Sequence, residues 1–95
     1  MELIFEWDPK KAAQNRRKHK VSFEEAKTIF GDPYELMISD PDHSEDEVRS
    51  VSIGESDKGR LLLTVYTQDE NVIRLISARE AETDEIEEYR RRRGA

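Results

Sequence analysis

Three apolar blocks, at about residues 47–54, 60–67 and 72–78, are separated only by "ESDKG" and "QDEN". Connections this short and polar reverse the chain between neighbouring strands, because a parallel crossover needs about a dozen residues or more. The blocks therefore predict an antiparallel meander, and "LLLTVY", apolar on both faces, is its central strand.

The other segments must supply what covers that sheet. "ELIFEW" reads as a short strand in which Leu3 and Phe5 alternate with Glu2, Ile4 and Glu6. "WDPKK" opens a helix, with Asp8 as its cap and Pro9 where no backbone donor is needed, and the helix is predicted to end near His19 or Lys20. In "VSFEEAKTIFGDP", Ser22 and Glu25 have capping-box spacing, Phe23, Ala26, Ile29 and Phe30 form an apolar stripe, and Gly31 suits the C-terminal cap. "YELMIS" is extended by composition and "DPDHSEDE" is an acidic loop. "AREAETDEIEEYRRRRGA" is a last helix, with Glu87 and Glu88 four residues before Arg91 and Arg92. The expected fold class is α+β, a mostly antiparallel sheet of about four to five strands with two N-terminal helices and a C-terminal helix, in one domain over residues 1–95. One sheet face should be covered and the other free for a ligand or partner.

Without cysteine, neither disulfides nor thiolate metal sites are possible. No apolar run approaches the ~18–20 residues of a membrane span, and the N-terminus lacks a basic leader followed by an apolar stretch, so a cytoplasmic protein is expected. The net charge of -6 conceals an asymmetry: residues 1–20 carry six Lys and Arg against three Asp and Glu, whereas residues 24–57 carry two against eleven. Any attraction for nucleic acid must be a local field.

Lys11, Asn15, Lys18 and His19 share one face of the first helix, polar where a core stripe would be expected. The competing role for His19 is a capping or buried hydrogen-bonding residue, with the cations serving the helix dipole. Glu47 and Arg49 point to one side of a strand entrance, and Arg74 lies inside an apolar strand, either snorkelling or presenting charge on the open face. Asp40, Asp42 and His43 form a lone acidic loop, which reads as a solvated turn rather than a metal site, and glycine is too scarce for a phosphate-cradling loop. What remains is Lys, Arg, His and Glu. These residue types can cleave RNA without metal or other cofactor, the substrate's 2′-hydroxyl acting as nucleophile.

"FEWDPKKAAQNRRKHKVSFEEAKTIFGDP", "DPDHSEDEVRSVSIGES", "GRLLLTVYT" and "IRLISAREA" resemble the successive motifs of the BrnT toxins. The resemblance implies a RelE-like ribonuclease of a type II toxin-antitoxin system. By the same resemblance the expected substrate is mRNA, and the expected partner is a ribbon-helix-helix antitoxin, BrnA, in a hetero-oligomer that contacts operator DNA through the antitoxin. Carried onto this sequence, the family's motif residues are Lys18, His19, Glu47, Arg49, Arg74 and Arg79 for catalysis, with Asn15 and Arg60 for RNA binding. Two features depart from the family pattern: Lys20 where glycine is frequent, and the acidic stretch from Glu80 to Glu88. They imply weaker RNA affinity or attenuated activity. A rival reading is a non-catalytic interaction module, or an attenuated toxin acting mainly as antitoxin partner and co-repressor. A third is a metal-dependent hydrolase built on Asp40, Asp42 and His43.

Overall fold

The computed structural model describes residues 2–38 and 49–94. Strand β1 (Ile4–Glu6) leads into helix α1 (Pro9–His19), then helix α2 (Phe23–Ala26), which continues as a 3-10 turn over Lys27–Gly31. Strands β2 (Leu36–Ile38), β3 (Ser50–Glu55), β4 (Leu61–Asp69) and β5 (Val72–Glu80) follow, and helix α3 (Thr83–Gly94) ends the fold. The sheet order is β1-β5-β4-β3-β2, antiparallel throughout except where β1 lies parallel to β5. The α+β expectation and the central place of "LLLTVY" therefore hold. The parallel β1 pairing was not legible in sequence, because its register with β5 is set across the whole intervening chain.

Local chemistry fixes the helix ends. Asp8 Oδ1 accepts the Lys10 amide at 2.9 Å and Pro9 occupies the first turn, as the sequence implied. At the far end Lys20 closes α1 in the left-handed conformation, φ 61°, its amide donating to the Arg16 carbonyl. Ser22 caps α2 by accepting the Glu25 amide at 3.1 Å, but the Glu25 carboxylate turns away from the cap and into the interior. The expected single helix is thus an α-turn that tightens into 3-10. Its C-cap is Asp32 rather than Gly31, and the Asp32 amide donates to the Ile29 carbonyl.

The sheet buries both faces to different depths. Against α1 and α2 lie Leu62, Tyr66, Ile73, Leu75 and Ala78, packed with Val21, Phe23, Ala26 and Ile29. Small residues let the layers close here: a Cβ added at Gly54 would stand 2.9 Å from that of Ile29. The opposite face, expected to be free, is partly covered by α3, whose buried Tyr89 packs on Val51, Ile53 and Leu63. The Tyr89 hydroxyl donates to Asp32 Oδ2 at 2.6 Å, and the same oxygen accepts the Glu55 amide at 2.8 Å. Burial and the neighbouring carboxylate push the Tyr89 phenol up to about 12, so it stays a donor at any physiological pH.

A left-handed φ suits glycine better than lysine, and the Lys20 carbonyl, which accepts from Arg60, survives the exchange. Lys20→Gly is expected to raise stability by about 0.5–1 kcal/mol, measured by urea denaturation. A lower midpoint would show that the lysine side chain supports the fold.

Candidate active site

Helix α1 is fastened to β5 through one side chain. Beyond Glu6 the β1 strand has ended, and the Asn15 amide takes over the edge of β5: Nδ2 donates to the Ala78 carbonyl at 2.8 Å, and Oδ1 accepts the Ala78 amide at 3.0 Å. Nδ2 also donates to the Val21 carbonyl at 2.9 Å, so one buried amide satisfies three main-chain groups. Asn15, expected to contact RNA, instead has both amide atoms engaged by the protein backbone. Its effect is positional. It sets the last turn of α1 so that Lys18 and His19 line a groove against Ser77.

His19 and Ser77 also belong to a cleft of about 800 Å³ on the second face of the sheet. Its floor is apolar, formed by Ile38, Val51, Ile53, Leu63 and Val65, and its wall is Arg79 with Asp84, Glu85 and Glu88. Register explains the placement: Arg79 stands opposite Leu63 and Ser77 opposite Val65, so both side chains share the cleft face. Ser77 was not singled out from sequence, although alternation with Arg79 two residues on would have found it.

Arg79 is not bare. Its Nη1 and Nη2 donate to the two carboxylate oxygens of Glu85 at 2.9 and 2.8 Å, and Nη1 also donates to the Glu80 carbonyl at 3.1 Å. Glu85 Oε1 accepts the Glu82 amide as well, which makes it the first-turn cap of α3. The Arg79 hydrogen bonds hold the Glu85 carboxyl below its ordinary range against the cost of burial. Glu82 stands farther off, its Oε1 4.0 Å from Arg79 Nη2.

The remaining expected residues disperse. Arg60 lies on the helix side of the sheet, where Nε donates to Glu25 Oε2 at 3.0 Å and Nη2 to the Lys20 carbonyl at 3.2 Å. Ser56 Oγ donates to the same Glu25 oxygen at 2.7 Å. An arginine so engaged braces α2 against the β3–β4 turn. Arg74 pairs with Glu6 across β5 and β1 at 2.8 Å, roughly 16 Å along the strand from Arg79. Arg49 is half-buried just before β3. Glu47, together with Asp40, Asp42 and His43, lies outside the described residues. Among the described residues, no group of three or more His, Asp or Glu is placed to hold a metal ion, and no helix is long and apolar enough to cross a membrane.

A family model described as the ribonuclease toxin BrnT of type II toxin-antitoxin systems matches residues 7–85. The chain belongs to this family. The crystal structure of the Brucella abortus ribonuclease toxin BrnT aligns with a TM-score of 0.62 at 21% identity, covering 87% of this chain and 99% of that one. Identity that low shows a shared fold, and it does not carry residue roles across. No curated protein matches the sequence. BrnT membership places the chain among ribonuclease toxins that act with an antitoxin.

The Arg60 hydrogen bond is the main influence holding Glu25 below its ordinary 4.5, so its stabilising contribution is complete above that pH and is lost as pH falls through the depressed folded value. Chemical denaturation at pH 7 and pH 3 should therefore show Glu25→Gln less stable than the parent at neutral pH, with the gap narrowing in acid. A gap independent of pH would remove the ion pair as its cause.

Proposed function

We propose that this BrnT-family chain is a metal-independent endoribonuclease that cleaves mRNA through the substrate's own 2′-hydroxyl. One observation carries the reading: α1 delivers Lys18 and His19 beside Ser77, at the edge of the cleft that holds Arg79. A proton-transfer group and a guanidinium thereby share one cleft, and a cation stands in the adjoining groove. In the proposed step the 2′-oxygen forms a bond to phosphorus while the bond from phosphorus to the 5′-oxygen breaks. A base takes the 2′ proton and an acid returns one to the departing oxygen, leaving a 2′,3′-cyclic phosphate. His19 is suited to proton transfer, and Lys18 with Arg79 to the charge that accumulates on the phosphate. Glu47 and Arg49 are proposed as further members on the family resemblance. Arg74 is assigned to the periphery and Asn15 and Arg60 to support.

The partner proposed is a BrnA-like ribbon-helix-helix antitoxin, through which the hetero-oligomer reaches operator DNA. Family membership supports an antitoxin, and the apolar cleft floor suits a partner segment bearing apolar side chains.

Cleavage of a defined RNA by the purified protein is expected to persist in EDTA and to yield 2′,3′-cyclic phosphate or 3′-phosphate ends. Products bearing only 3′-hydroxyls would sink the mechanism.

The bidentate hold of Glu85 on Arg79 favours a second reading, an attenuated toxin whose phosphate-gripping cation is occupied by its own helix. Under the main reading, Arg79→Lys should lose ~10²–10³ in single-turnover cleavage with a small change in melting temperature. Under the second, Glu85→Gln should accelerate cleavage. An active Arg79→Lys variant that is only slightly destabilised would make Arg79 a clasp for α3 and refute its catalytic assignment.

A further inference from the structure

Arg60, Arg74, Arg79, Arg91 and Arg93 each face a carboxylate. Lys10, Lys11, Arg16, Arg17, Lys18 and Lys20, all on α1 or its cap, are exposed and pair with no described residue. In a chain of net charge -6, the densest uncompensated positive charge is thus gathered on one helix.

Helix stability explains only part of that gathering. The dipole favours cations in the last turn, where Arg16, Arg17 and Lys18 stand, yet Lys10 and Lys11 occupy the first turn, which holds no acidic residue. Cations at positions unfavourable to their own helix are accounted for by an anion outside it. The face also leads somewhere: Lys11, Gln14 and Lys18 line the groove along β5 that ends at His19 and Ser77.

We propose that the groove side of α1 is a phosphate-backbone track that guides single-stranded RNA to Lys18 and His19. The inference rests on the ribonuclease reading of that site and extends it to Lys10 and Lys11, on the same side of the helix as Lys18; Arg16 and Lys20 line a separate hollow on the other side with Phe23 and Glu24. The helix has eleven residues and is therefore about 16 Å long, enough to touch a few successive phosphates. A single strand is the fitting occupant, because in-line attack by the 2′-hydroxyl requires a backbone free to leave A-form geometry. Phosphate contacts of this kind carry affinity and no sequence preference.

The test uses a single-stranded RNA made uncleavable by 2′-O-methyl substitution, with anisotropy followed across salt concentration. The double variant Lys10→Glu with Lys11→Glu places carboxylates where the dipole favours them, and Lys20→Gly, on the other side of the helix, is the control. Both should melt no lower than the parent, but the double variant alone should bind the RNA more weakly, with a salt slope shallower by roughly 0.7–1 for each phosphate no longer neutralised. Unchanged affinity and slope in the double variant would overturn the track. So would weakened binding that merely follows a fall in melting temperature, or weakening confined to duplex DNA with RNA binding intact. Failure of the ribonuclease reading itself would look different: cleavable RNA would stay whole with the parent protein, while these binding measurements would be unaffected.

Discussion

The amide of Asn15 is the contact on which the functional geometry turns. A sheet edge left open where β1 stops would bury an unpaired amide and carbonyl at Ala78, at a cost of about 1–3 kcal/mol for each group. Asn15 acts there as a missing strand residue, and its third bond, to Val21, ties down the turn into α2. The site demands a donor and an acceptor in one short planar group, which is what an asparagine amide supplies. The same contact orients the last turn of α1, and so the position of Lys18 and His19 depends on a side chain engaged wholly by the protein's own backbone.

A second constraint is the way carboxylates are distributed. Glu25 sits almost wholly inside the protein, with 2% of its side chain exposed, and is tolerable there because Arg60 and Ser56 meet it from the β3–β4 turn. Glu85 does the corresponding work on the cleft side, capping α3 and holding Arg79. Asp32 joins the end of the 3-10 turn, β3 and α3 through the Glu55 amide and the Tyr89 hydroxyl. Each of these acids lies between two or more elements. They are structural, and none of them opposes the cations of α1, where positive charge meets solvent.

Much of the architecture was legible in sequence because its signals are local. Asp8 and Pro9 start α1, Ser22 caps α2, and the short "ESDKG" and "QDEN" loops admit only a meander; each is settled within a few residues by backbone hydrogen bonding and chain reach. The candidate site was legible less well. Lys18, His19 and Arg79 do line connected hollows. Asn15 and Arg60 carried the same polar signature but are engaged by the protein's own groups, and nothing in a sequence distinguishes an amide or guanidinium aimed at solvent from one aimed at buried main chain or a buried carboxylate.

The chain by itself determined which elements form, where the helices start, and that its positive charge collects at the N-terminal helix, since propensity, capping and turn length act over distances of a few residues. Only the tertiary structure decided that β1 runs parallel to β5, that α3 folds over the second sheet face, and that Glu85 rather than Glu82 takes Arg79. Those outcomes depend on where whole elements come to rest, in the extreme on segments as far apart in the chain as Glu6 and Arg74. Their energies come from burial and charge pairing that exist once the layers have closed.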